Sequence, residues 1–153
     1  MNRRNFIALA ALSSFTPFAK AGAWDSGSFN NDDALDWAGQ CVRSNGASLI
    51  SATLYAALAD SYLEALECSS TVAAAEVVAA SRGKANKALP KALSSWLGKQ
   101  KKDEIAKLAP LATKAVSRIL NGSKSELQEL WHENKKDFPI WKSQMQSLIA
   151  RLK

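Results

Sequence analysis

The chain has little of what metal and catalytic sites are commonly built from. Its 153 residues include one histidine, His132, and two cysteines. Zinc sites need several His or Cys ligands, and His132 follows Trp131 in a charged segment without a second His or Cys nearby. We therefore predict no metal site, and no motif indicates a cofactor. The nucleophile-elbow pattern GxSxG is also missing, although a Ser/His/Asp triad assembled by the fold stays open.

Two cysteines permit at most one disulfide, between Cys41 and Cys68. If one helix ran over residues 48–67, its rise of ~1.5 Å per residue would separate its ends by about 30 Å. A disulfide needs Cα atoms roughly 4.4–6.8 Å apart. A chain break near residues 60–61 would bring the two cysteines together. Buried free thiols are the favoured interpretation, and the disulfide is the alternative.

Residues 1–21 contain no acidic residue, and their apolar run from Phe6 to Phe15 is too short to cross ~30 Å of hydrocarbon. Two arginines precede the run, and small residues follow it up to Ala21. This order is typical of a secretory signal cleaved after Ala21. We predict an exported, periplasmic protein that does not associate with the membrane after cleavage.

The beginning of this signal, Arg3-Arg4-Asn5-Phe6-Ile7, resembles the twin-arginine export signal, whose pattern is two arginines, any residue, Phe and an apolar residue. Export through the Sec route stays open, because any basic segment before an apolar run serves it.

Basic residues are nearly absent from the first half of the exported chain. Residues 22–81 contain one basic and eight acidic residues, whereas residues 82–153 contain sixteen basic and six acidic residues. Two charge-complementary halves that pack together are the favoured interpretation. A basic face for anionic polymer or lipid is the alternative. We predict no nucleic-acid partner, because the protein is exported and no binding motif is present.

No alternating run of β-branched residues is long enough to predict a strand. Helical spacing and turn residues instead predict one all-α domain over residues 22–153, with five to seven helices. Asn31 or Asp32 caps the first helix, and Ser69 or Ser70 caps an Ala-rich helix closed by Gly83. Helices are expected at about residues 32–43, 48–60 or beyond, 71–82, 90–96, 103–121 and 139–153, the fifth kinked or restarted at Pro110. A further helix is expected to begin at Ser123 or Ser125 and to end at about residue 134.

The stretch from Gly22 to Trp37, GAWDSGSFNNDDALDW, concentrates aromatic, acidic and amide side chains at the start of a helix. Its oxygen donors suit a hard cation, but their spacing does not match an EF-hand loop. Helix capping and a favourable helix dipole explain them better. We expect Trp24 and Phe29 to be buried as a structural clasp. The candidate binding residues in this stretch are Trp24, Asp25, Asn31, Asp32 and Asp36.

Glu76 is the remaining candidate, because its neighbours in AAAEVVAA are apolar. A buried carboxylate must be neutral, paired or hydrogen-bonded, and such groups sometimes act as acids or bases. A structural tie to an arginine or to backbone amides near the opening stretch is the favoured interpretation.

The opening stretch resembles that of the bacterial domain of unknown function 4259 family, which typically reads WGxGxFDNDDALDW. Further similarity lies in AAAEVVAASRG, in Leu89-Pro90 with Trp96, and in SELQELW at residues 125–131, so it covers essentially the whole exported chain. Asp25 stands where the family usually has Gly, and Asn30 where it usually has Asp. The resemblance implies where the domain begins and ends. It implies nothing about activity, because the family has no assigned activity.

Three classes of function fit this sequence. We predict a protein-binding module, of which an immunity or inhibitor protein is one version, because the chain is small, exported, helical and without an evident catalytic set. The first alternative is a cell-envelope enzyme that uses Glu76 with Asp32 and Asp36, which requires these carboxylates to meet in one cleft. The second is a binder of anionic envelope material through Lys84–Lys107.

Overall fold

The computed structural model describes residues 26–153, so the predicted export signal and the candidates Trp24 and Asp25 lie outside the described residues. This part of the chain is all-α, as predicted, and its one β feature is an isolated bridge between Leu63 and Ser125. The helices are α1 (Asp32–Val42), α2 (Ser48–Ala56), α3 (Ala65–Ser81), α4 (Lys91–Leu97), α5 (Lys102–Ala106), α6 (Ala109–Asn121), α7 (Glu126–Glu133) and α8 (Phe138–Leu152).

Side-chain caps fix where several helices begin. The side-chain oxygen of Asn31 accepts a hydrogen bond from the amide of Ala34 (2.8 Å), so Asn31 rather than Asp32 caps α1. Ser125 Oγ accepts from the amide of Gln128 and caps α7. Each bond satisfies an amide that has no partner within its own helix.

Helix α3 begins earlier than predicted, so Ser69 and Ser70 lie inside it rather than at its start. Its N-cap is Glu64, which forms a capping box with Glu67. The amide of Ala65 donates to the carboxylate of Glu126 (2.6 Å), a residue distant in sequence. This long-range bond explains why local cap preference gave the wrong start. The end was predicted correctly, because Gly83 follows the helix at φ +77°.

Helix α2 stops at Ala56 instead of reaching Asp60. The guanidinium group of Arg118 donates to the carbonyl oxygens of Ala57 and Ser61, and these bonds hold the chain in a turn. The chain break that the disulfide alternative required is therefore present. It does not produce a disulfide, because Cys41 and Cys68 are both free and buried, as the favoured interpretation expected.

The predicted helix over residues 103–121 is two helices, α5 and α6. Pro110 lies in the first turn of α6, where its missing N–H costs no intrahelical bond. Pro110 therefore restarts the helix rather than kinking it. This division brings the number of helices in the described residues to eight, slightly above the predicted range.

Helix α3 is the centre of the domain and packs against each of the other seven helices. Its residues 71–79 are all buried, and five of its positions between Ala73 and Ala80 are alanine. Small side chains let neighbouring helices approach closely, which suits the central position of this helix. None of the helices in the described part of the chain has the length and apolar character needed to cross a membrane.

Two ion pairs join the acidic first half of the domain to its basic second half. Arg151 pairs with Glu76 (2.7 Å), and Lys124 pairs with Asp60 (2.5 Å). The hydrogen bond from Lys124 lowers the pKa of Asp60 below its usual value. The exposed pair between Lys124 and Asp60 stabilises the fold little, whereas the carboxylate of Glu76 is almost fully buried.

Candidate functional site

Glu76 projects from the middle of α3 into a polar cluster inside the domain. Its side chain is 1% exposed, and both carboxylate oxygens accept hydrogen bonds from the guanidinium group of Arg151 (2.7 and 3.0 Å). Ser28 Oγ donates to Glu76 Oε1 (2.7 Å), and the amide group of Asn86 donates to the same oxygen (3.1 Å). Arg151 also donates to the carbonyl oxygen of Lys84 (3.2 Å).

This cluster joins four separate parts of the chain: the segment before α1, helix α3, the loop after α3 and the last helix. The arginine tie is the structural role that the sequence favoured for Glu76. A bidentate pair between an arginine and a carboxylate fixes both side chains in direction as well as in distance. We call residues 26–31, which precede α1, the opening segment. Glu76 therefore holds the opening segment and α8 against the central helix.

The segment before α1 is anchored by three side chains. Phe29 is 4% exposed and belongs to the hydrophobic core. Ser28 is held by Glu76, and Asn31 caps α1. The amide of Asn30 donates to the carbonyl oxygen of Gly27 (3.1 Å), which closes a turn. The expected clasp is thus present for Phe29, whereas Trp24 lies outside the described residues.

An open groove lies between this segment, α1, α3, α7 and α8, and we call it the opening groove. Its volume is about 720 Å³. Its apolar lining consists of Ala65, Val72, Leu127, Leu130, Trp131, Trp141 and Met145. Its polar lining consists of Ser26, Ser28, Asn30, Asn31, Asp33, Ser69, Glu133, Asn134 and Gln144, with Gly27 contributing backbone.

Aromatic side chains form the base of the opening groove. Trp131 and Trp141 stack with ring centroids 6.3 Å apart and planes within 9°, and Phe138 packs on Trp141 at 5.8 Å. Trp141 is buried, whereas Trp131 is half-buried and Leu130 is 50% exposed. His132 contacts the edge of Phe138 and is exposed. The groove thus has a rigid aromatic base and an apolar edge that reaches solvent.

The helices on two sides of the opening groove are acidic. Helix α1 carries Asp32, Asp33 and Asp36, and α7 carries Glu126, Glu129 and Glu133, and neither helix contains a lysine or arginine. Of these six residues, Asp33 and Glu133 line the groove. The mouth of the groove is therefore negatively charged.

The structure brings only part of the predicted site residues together. Asn31 lines the opening groove, whereas Asp32 and Asp36 are exposed outside its lining. Glu76 is also outside the lining and touches the groove only through Ser28. The convergence that the enzyme alternative required, with Glu76 and these aspartates in one open cleft, is not seen in residues 26–153.

Sequence reasoning missed the residues that give the groove its character. The positions of Leu130, Trp131 and Trp141 in their helices do not indicate a groove, because core and groove residues share the same helical spacing. Asp33 belongs to the acidic opening stretch but is not among the predicted binding residues. The one signal available was the absence of any lysine or arginine from α1 and α7, which makes their acidic faces distinctive.

The other reactive groups are not arranged for chemistry. Burial raises the pKa of the Cys41 thiol to about 11, and burial also raises the pKa of the Cys68 thiol. Both thiols are therefore protonated at neutral pH and unreactive. Over residues 26–153, no three His, Cys, Asp or Glu side chains are grouped as metal ligands would be.

Comparison with known proteins gives one result. The sequence model of a domain of unknown function, DUF4259, matches residues 22–144. This match begins where the predicted export signal ends and covers Glu76, Ser28, Asn86 and every residue of the groove lining except Met145, whereas Arg151 lies beyond its end. No curated protein matches the chain, and no solved structure does. The chain therefore belongs to the domain of unknown function 4259 family.

Proposed function

We propose that this protein is an exported protein-binding module and that the opening groove is its binding surface. The observation that carries the proposal is the half-exposed Leu130 beside Trp131, above a base formed by the buried Trp141 and Met145. Concave apolar surfaces that stay open to solvent, with a polar rim, are typical of binding sites.

The groove has the features of an energetically important contact. Tryptophan is enriched among the residues that contribute most to protein–protein binding, and such residues lie in pockets rimmed by less important contacts. The base of the groove is rigid, because Trp141 and Met145 belong to the hydrophobic core and α8 is tied to α3 through Arg151 and Glu76. A partner that binds here therefore meets a preorganised surface.

Export to the periplasm remains part of the proposal and rests on the sequence of residues 1–21. An immunity or inhibitor protein is one version of this function, because such proteins are small binding modules. A toxin gene next to the gene for this protein would support that version.

Affinity capture from the native cell envelope tests the proposal when two arginine variants are compared. Leu130→Arg places a charge on the apolar edge of the opening groove, whereas Tyr55→Arg does so at an exposed position of α2 outside the groove. Both positions are exposed, so both variants should fold. A protein retained by the unaltered chain and by Tyr55→Arg but lost by Leu130→Arg supports the proposal. Equal retention by both variants would contradict it.

A further inference from the structure

The charge of the opening groove specifies the kind of segment that it binds, and this step rests on the proposed function. Asp33 on α1 and Glu133 on α7 are its only ionisable lining residues in the described part of the chain. Neither carboxylate has a hydrogen-bond or ion-pair partner among the described residues. By contrast, Asp60 and Glu76 each have a basic partner.

The surroundings of these two carboxylates reinforce their charge. Four more acidic residues lie on the same two helices, and neither helix has a lysine or arginine to offset them. Lys135 and Lys136 follow α7, but they are exposed and do not line the groove. An acidic partner segment would therefore be repelled, and a cationic one attracted.

The aromatic base selects for apolar side chains. Trp141 has one neighbour in Trp131 and another in Phe138, so the face left for a ligand is the partly exposed Trp131 with Leu130 and Leu127. Aliphatic or aromatic side chains gain by covering these atoms, because the apolar area is removed from water.

We propose that the opening groove binds a segment of a partner protein in which large apolar side chains are flanked by lysine or arginine. The apolar side chains pack on Leu130 and Trp131, and the basic side chains lie at Asp33 and Glu133. The two carboxylates are contributed by different helices, α1 and α7, so a segment with a basic residue on each side of its apolar centre can offer one cation to each.

Three short synthetic peptides test this inference: one with Leu and Trp flanked by Lys, one with the same centre flanked by Glu, and one with Lys flanks and a Ser centre. The protein is purified in the form that its native host accumulates. Its binding to each labelled peptide is measured by fluorescence anisotropy. We expect the Lys-flanked apolar peptide to bind about tenfold more tightly than either of the others at ~0.05 M salt. Its advantage over the Glu-flanked peptide should shrink at ~0.5 M salt, because salt screens exposed charges.

Two pairs of charge-neutralising substitutions assign the preference to the groove. Asp33→Asn with Glu133→Gln should reduce the preference for Lys flanks to about threefold or less, since the attracting charges are gone. The matched control is Asp103→Asn with Glu104→Gln, which removes two exposed carboxylates from α5, outside the groove. The control should leave the preference unchanged.

Several results would overturn the inference. These are equal or tighter binding of the Glu-flanked peptide, and a preference for Lys flanks that survives the substitutions at Asp33 and Glu133. Binding of an N-acetylglucosamine oligosaccharide in place of all three peptides would assign the groove to glycans. A Trp24→Ala variant is measured as well. If this variant bound the peptides and the unaltered protein did not, the groove would be occupied by the chain's own residues before Ser26.

The proposed function and the inference about the bound segment can be disproved independently of each other. If the envelope partner requires Leu130 but none of the peptides binds, or the Glu-flanked one binds best, the groove is a protein-binding site and the inference about its ligand is wrong. If capture of the partner is unaffected by Leu130→Arg, the proposed function itself is wrong.

Discussion

Among the single residues, Glu76 connects distant parts of the chain. Its carboxylate lies in a low-dielectric environment and is satisfied by Arg151, Ser28 and Asn86. Removing one partner of a buried ion pair leaves the other partner uncompensated, and this costs far more than the net stabilisation by the intact pair. The pair therefore fixes the arrangement of α3 and α8 more than it adds to their stability.

A double-mutant cycle tests this role of Glu76. Glu76→Gln keeps the shape of the side chain and its bonds to Ser28 and Asn86, but leaves the guanidinium group of Arg151 without a counter-charge. We expect it to lower the free energy of unfolding by about 3 kcal/mol in urea denaturation. Adding Arg151→Met should cost less than the two single changes together, by about 1–3 kcal/mol. Asp60→Asn, in an exposed ion pair, serves as the control and should change the midpoint little.

Additive effects of Glu76→Gln and Arg151→Met would show that the two side chains are not coupled. A fully stable Glu76→Gln protein would show that the carboxylate is not needed for the fold, and would return Glu76 to the list of acid or base candidates.

The buried thiols predict a loss of stability at high pH. Burial raises the pKa of Cys41 from 9.0 to about 11, so the folded protein keeps this proton where the unfolded chain has lost it. Stability from this group is therefore present below pH 9 and falls as the pH rises from 9 towards 11. Urea denaturation at several pH values measures this fall, and Cys41→Ala should reduce it.

Thiol titration checks the same assignment. We expect no reaction of Cys41 or Cys68 with a thiol reagent in the folded protein and two reactive thiols after unfolding without reductant. No reactive thiol after unfolding would mean that the disulfide alternative is correct.

On the scale of helices and segments, the opening segment is the distinctive element, because three interactions of different kinds anchor it. Phe29 contributes buried apolar area, Ser28 contributes a bond to a buried carboxylate, and Asn31 contributes a helix cap. The same segment forms one wall of the opening groove. Its anchoring therefore determines whether the groove has a fixed shape.

Two of these anchors, Phe29 and Asn31, should differ in energy. Phe29→Ala removes a buried aromatic side chain and should cost about 3–5 kcal/mol. Asn31→Ala removes a cap and should cost roughly 1 kcal/mol, while Asp32→Ala should cost less, because Asp32 makes no capping bond. In thermal denaturation, the melting temperature of Phe29→Ala should therefore lie far below that of Asn31→Ala. Similar small shifts for both would indicate that the segment is not part of the core.

The helices show what a sequence permits one to predict. The starts of α1 and α7 were predicted, because their caps bond to amides three residues ahead. The start of α3 and the end of α2 were not, because Glu126 and Arg118 act on them from distant positions in the chain. Local signals give local boundaries, whereas a boundary set by a tertiary hydrogen bond becomes visible only in the fold.

The same distinction applies to the site. Glu76 could be singled out, because a charged residue in an apolar run is conspicuous, and an arginine partner could be expected. That this partner is Arg151 could not be predicted, since Glu76 and Arg151 are far apart in sequence. Leu130 and Trp141 looked like core residues, and only the packing of α7 against α8 shows that a groove opens beside them.

Considered as a whole molecule, the described residues form a helical frame with an acidic, apolar groove between the opening segment and the last two helices. The acidic α1 and α7 border this groove, and the eight basic residues from Arg82 to Lys107 are all exposed. The basic stretch shares no residue with the groove lining. If the partner has basic flanks as proposed, we expect it to be attracted to the groove and repelled by residues 82–107.

The central claim is that the opening groove binds another protein, and site-specific photo-crosslinking in the native envelope tests it most directly. A photoreactive amino acid is placed in turn at positions 130 and 144 in the groove, and at positions 55 and 140 outside its lining. All four positions are exposed, so the fold should be retained. We predict one protein crosslinked from positions 130 and 144 and absent from positions 55 and 140. A crosslink from position 55 or 140, with none from the groove, would contradict the claim.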